Sequence, residues 1–116
     1  MTDKPIPAYL IAQLDVKDHK EYRERYGISV VEMLQKIGAE PLAAAAAPTV
    51  LEGEWKGNWT VVIRFPSMQA ATDWYNSAEY QPLKNLRIGE LTTGGSAVFV
   101  EGFDLSAWQA AIGTKG

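Results

Sequence analysis

Hydrophobic and polar positions first alternate between Tyr9 and Val16. Leu10, Ala12, Leu14 and Val16 fall on one face of an extended segment, with Tyr9, Ile11, Gln13 and Asp15 on the other. That is the two-residue period of a β-strand. Because the second face mixes apolar and polar groups, only partial cover is expected there. Beyond Asp18 the period lengthens. Tyr22, Tyr26, Val30, Met33, Leu34 and Ile37 recur every three or four residues, which makes one apolar stripe along a helix. Asp18 is placed to accept from first-turn amides, and Glu21 to complete a capping box. Gly27 weakens the interior of this helix by about 1 kcal/mol relative to alanine. Gly38 is placed as the left-handed residue that stops it.

The run Ala43 to Ala47 has the strongest local helix propensity, yet Pro41 and Pro48 fence it into a stretch too short to nucleate a helix alone. The pattern reads better as a long, bent strand from Glu40 to Trp55, broken near Pro48. In it Thr49, Leu51, Gly53 and Trp55 share a face. Lys56-Gly57-Asn58 then makes a turn into the β-branched strand Trp59 to Phe65, an antiparallel hairpin. Ser67 caps a helix with the apolar face Met68, Ala71, Trp74 and Tyr75. Ser77 restarts it, carrying Tyr80, Leu83 and Leu86, and Pro82 predicts a kink or break. Thr92 to Ser96 reads as a glycine-bearing loop and Ala97 to Phe103 as the last strand. Ser106 to Ile112 reads as a small amphipathic helix carrying Trp108.

These elements define an α+β class in the order strand–helix–strand–strand–helix–strand, the split-βαβ or ferredoxin-like arrangement. A four-stranded antiparallel sheet with both helices on one face is expected. With no third long helix to cover the opposite face, that face is expected to be an interaction surface, and a homodimer through it is the economical solution. The chain reads as a single domain over 1–116, with a core at 8–103 and a tail at 104–116.

Composition narrows the function. The 47% hydrophobic content, with 4 Trp, 5 Tyr and 3 Phe, is that of a folded core and not of a disordered chain. A net charge of -3 with scattered Lys and Arg argues against a nucleic-acid surface. No apolar run reaches the ~20 residues of a membrane span, and Met1 to Pro7 lacks the apolar stretch of a signal peptide. Without cysteine there is no disulfide, thiolate nucleophile or Cys-based zinc site. A cytoplasmic location, no metal and no cofactor are the corresponding expectations.

Among side chains that carry chemistry, His19 stands alone at the start of a helix and reads as solvated. Of the carboxylates Asp15, Glu52, Glu54 and Glu101, Glu52 sits in an apolar stretch near Trp55 and is the candidate base. The competing reading is a salt bridge from Glu52 to Arg64 or Arg87. Trp74, Tyr75 and Tyr80 are placed to line a cavity between helix and sheet, or to fill it as core. Tyr9 and Tyr22 can orient a polar ligand group. Arg64 and Arg87 can hold a carboxylate through two parallel bonds. The ligand expected is a small organic acid or aromatic metabolite. The alternatives are a cofactor-independent isomerase or monooxygenase, and a purely structural dimerisation module.

Four stretches together resemble a bacterial family, the domain of unknown function numbered 1330. They are Ala8-Tyr9-Leu10-Ile11-Ala12 leading to Asp15-Val16 and Tyr22; Val50-Leu51-Glu52-Gly53-Glu54-Trp55; Val61 to Met68 with Ala70-Ala71 and Trp74-Tyr75; and Ser77 to Leu83 with Arg87 beyond. The likeness runs from about Ala8 to Phe103. It implies a ferredoxin-like fold in the dimeric α/β-barrel superfamily, in which two sheets enclose a barrel, and it implies no established activity. Members often carry an Arg and glycines just after the second strand begins, where this chain has Ala43 to Ala47.

Overall fold

A computed structural model describes residues 6–113. The start of the chain, read above for a leader, lies outside the described residues up to residue 5. Strand β1 (Ala8–Val16) leads into helix α1 (His19–Tyr22), a π-helical segment (Arg23–Gly27) and helix α2 (Ile28–Lys36), which together form one continuous helical run. Strands β2 (Glu40–Ala45) and β3 (Trp59–Phe65) follow. Then come α3 (Met68–Tyr75), α4 (Gln81–Leu86), a second π-helical segment (Arg87–Leu91), β4 (Thr92–Glu101) and α5 (Leu105–Gly113).

The four strands form one open antiparallel sheet in the order β2-β3-β1-β4 and do not close on themselves. In the register, Leu10 lies between Ile63 and Phe99, and Ala12 between Val61 and Ala97. Those residues share the face on which both helical runs pack, and all but the exposed Ala97 join Phe65, Leu34 and Tyr80 in the core. Tyr9, Ile11, Val62, Arg64, Val98 and Val100 belong to the opposite face, where Val98 is 52% and Val100 44% exposed. The expected imbalance between the two faces is therefore present. Burying even one valine stabilises a fold by roughly 1.5–3 kcal/mol, so a row of them left in water is a substantial unused driving force.

Local signals set the helix starts. The Asp18 carboxylate accepts from the Glu21 amide at 3.0 Å, and Ser67 Oγ from the Ala70 amide at 3.1 Å. The Glu21 side chain turns forward to Arg25 at 2.5 Å and does not complete the capping box. Gly38, at φ 77°, ends the first run as expected. Pro82 lies in the first turn of α4, where its missing N–H costs nothing, so the break falls before it.

Three sequence expectations change. Pairing of β2 stops at Ala45, so the long strand to Trp55 is replaced by an exposed arm, residues 46–58. Beyond Ala45 no partner strand satisfies the backbone, and propensity alone does not make a strand. The three-residue hairpin turn is lost with it. At the other end, Thr92 to Ser96 is strand: it pairs with Gln13 to Val16 across a register shift. A Cβ at Gly95 would sit 2.6 Å from the Gln13 carbonyl, so here glycine permits a close strand approach that periodicity counts against a strand.

Candidate functional site

Between the helical runs and the sheet lies a cavity of about 120 Å³, partly open to solvent. Its floor is sheet: Leu10, Ala12, Leu14, Val61, Ile63 and Ala97. Its walls are aromatic. Tyr22, Tyr26, Tyr80 and Trp74 follow one another with ring centroids 5.0, 6.3 and 4.1 Å apart, and Trp74 continues to Phe65 at 5.5 Å.

The polar content of this cavity is concentrated at one end. Tyr26 Oη and Tyr80 Oη are 2.5 Å apart in a buried hydrogen bond. Arg87 is half-buried beside them, its guanidinium carbon 5.9 Å from the Tyr26 ring centre. Tyr26 and Arg87 both sit on π-helical segments. The extra residue in such a turn redirects a side chain, and π-turns recur at functional sites. An ion pair ties the two segments together, Arg25 to Glu90 at 3.0 Å. Local geometry that costs hydrogen-bond regularity is thus spent at the same end of the cavity from two directions.

Electrostatics sharpen the picture. Burial pushes the Tyr22 hydroxyl up to about 12, against a downward pull from Arg87. Burial, then the neighbouring tyrosines, holds Tyr26 well above the ordinary tyrosine range. Arg87 is held above its ordinary value: burial pulls it down, and the Tyr26 and Tyr80 hydroxyls outweigh that pull. At neutral pH the site therefore carries one positive charge and protonated Tyr22 and Tyr26. Among the described residues Arg87 has no carboxylate partner, and no acidic side chain lines the cavity. Trp74, only 6% exposed, has its Nε1 buried with no acceptor. A buried donor left without a partner costs about 1–3 kcal/mol.

Of the residues singled out from sequence, Tyr22, Trp74, Tyr75, Tyr80 and Arg87 meet at this cavity. Tyr9 and Arg64 lie on the open face of the sheet, where Arg64 is 3.6 Å from Glu40. That ion pair replaces the expected Glu52 partner. Trp55 stands on the arm and donates from Nε1 to Thr60 Oγ1 at 2.8 Å. Glu52 lines only a shallow depression of about 350 Å³ on the arm, with Pro48, Thr49, Val50, Leu51 and Trp55. Although larger, that depression is made by one exposed segment and holds no buried donor. His19 is exposed, its ring tilted 56° to that of Trp59 with centroids 5.3 Å apart. Tyr26 was missed as a site residue because the helical stripe accounts for it fully; the signal lay in Tyr22 and Tyr26 standing one turn apart.

The molecule is thus an α+β protein with an open four-stranded antiparallel sheet and an aromatic cavity with arginine at one end. It belongs to the family described as Domain of unknown function (DUF1330), whose profile matches residues 7–103. No protein of curated function matches the chain. Among solved structures it is similar to the RPA0582 protein of unknown function from Rhodopseudomonas palustris, a structural genomics target. That match has a TM-score of 0.67 at 12% identity over 89% of this chain and 87% of that one. The methylated RPA0582 protein matches at the same TM-score and identity, over 90% and 86%. At this identity the likeness speaks for the fold alone.

Proposed function

We propose that the protein is a cytoplasmic homodimer of the ferredoxin-like, dimeric α/β-barrel type that binds a small organic acid or aromatic metabolite between sheet and helices. One observation carries the binding reading: Arg87, charged and without a carboxylate partner, meets the Tyr26–Tyr80 pair at the end of an otherwise apolar cavity. Binding sites combine such apolar walls with a few convergent polar groups. The dimer reading rests on the uncovered valines of the sheet and on the arm, where Leu51 is 89% exposed.

An enzymatic version, cofactor-independent proton transfer or oxygenation with Glu52 as base, requires the arm of one copy to reach the cavity of another. Within one protomer Glu52 stands apart from it. A purely structural dimerisation module is favoured by α5, which buries none of its residues.

A thermal-shift screen of small acids and aromatics separates binding from structure. Ala97 is exposed at the cavity rim, so Ala97→Leu fills space without crowding the core. The binding reading expects at least one compound to raise the melting temperature of the wild type and to lose that effect in Ala97→Leu. Silence from every compound supports the structural module.

A further inference from the structure

The donors and acceptors of the cavity do not balance, and the imbalance identifies a ligand class. Arginine presents five N–H donors and no acceptor. The Arg87 guanidinium lies beside the Tyr26–Tyr80 pair, its central carbon 5.9 Å from the Tyr26 ring centre. In the bond between those two hydroxyls one proton is shared, and the proton of the accepting hydroxyl is left to donate elsewhere. Trp74 Nε1 adds a buried donor without an acceptor. Tyr22 and Tyr75 line the cavity too, each with a hydroxyl that can donate or accept, and most of the remaining lining is apolar. The cavity therefore offers more donors than acceptors and one positive charge, and the complement is an acceptor-rich group carrying one negative charge.

We infer that the cavity takes a monocarboxylate with a compact apolar body, its carboxylate on Arg87 and the free tyrosine hydroxyl. This rests on the binding reading above and names its ligand class. Charge selects the carboxylate over a phosphate ester. A single arginine in an apolar cavity leaves a dianion half-compensated, and an uncompensated buried charge is strongly disfavoured. Size selects a compact body. A cavity of roughly 150 Å³ lined by aliphatic and aromatic groups accommodates benzene, and the volume here is about 120 Å³ and open at one side. A short branched chain fits within that volume and a single ring uses the open side, whereas a fused-ring body extends further into solvent. Planarity of the guanidinium fork matches a carboxylate through two parallel bonds, which lysine does not reproduce.

Calorimetric titration of the full chain with benzoate, benzamide, 2-naphthoate and inorganic phosphate tests this, with Arg87→Lys and Arg87→Gln as variants checked for native circular dichroism. Saturable benzoate binding is expected, with benzamide, 2-naphthoate and phosphate each at least tenfold weaker. Arg87→Lys is expected to weaken benzoate at least tenfold while keeping the charge, and Arg87→Gln to abolish it. Benzamide binding as well as benzoate, with both insensitive to Arg87→Gln, overturns the carboxylate assignment and leaves the binding reading standing. Phosphate binding more tightly than benzoate overturns it likewise. If neither variant keeps a native spectrum, the wild-type ratio of benzoate to benzamide decides alone. No heat from any probe, together with a silent thermal-shift screen, overturns both.

Discussion

At the scale of single residues, the site depends on phenols kept protonated beside a charged arginine. Tyr22 lines the same cavity, and burial raises its hydroxyl to about 12 from an ordinary 10. The folded state therefore holds this proton more tightly than the unfolded chain does. Stability from Tyr22 is complete below about pH 10, where both states are protonated. It is lost as pH rises from there through about 12, because the unfolded chain ionises first. Denaturant midpoints measured from pH 8 to pH 11 are expected to fall above pH 10, and less steeply in Tyr22→Phe. Identical slopes would contradict the burial of this hydroxyl. Little of this was legible in sequence. Tyr22, Trp74, Tyr80 and Arg87 were flagged by residue type and helical spacing. The contact between Tyr26 and Tyr80, 54 positions apart, has no local signature. Glu52 shows the opposite case: its neighbours in sequence are apolar, yet the arm that carries it is exposed.

At the scale of elements, sequence spoke clearly wherever structure is decided locally. Alternation in β1 and β3, the Asp18 and Ser67 caps and the Gly38 stop all depend on neighbours within four positions. It spoke poorly where distant pairing decides. Strand β4 begins at Thr92 because β1 lies beside it, and β2 ends at Ala45 because β3 has no more strand to offer. The π-helical segments were invisible, since the four-residue spacing of Tyr22, Tyr26 and Val30 reads equally well as an α-helical stripe. Gly27 ends the first of them with ordinary helical dihedrals, φ -59° and ψ -45°. An added Cβ meets only the Tyr22 carbonyl, at 3.8 Å. Gly27→Ala is therefore expected to stabilise the fold by about 0.5–1 kcal/mol, read by urea denaturation. A loss of stability would mean that the π-turn needs glycine's freedom.

At the scale of the whole molecule, one chain is spread thinly. Its radius of gyration is 16.6 Å, against about 13 Å for a compact domain of this length, and its shortest extent is only 17 Å. One sheet and one helical layer account for that thickness. The arm and α5 extend it further, exposing Val50, Leu51, Trp108 and Ile112. Such a shape suits half of an assembly whose other half covers the open sheet face. The cavity lies on the opposite side of the sheet, so two copies bring two independent cavities. Native mass spectrometry with benzoate present tests this account most directly. It predicts a species of about twice the 12.8 kDa chain carrying up to two benzoates. A species of one chain mass without ligand at any concentration would contradict it.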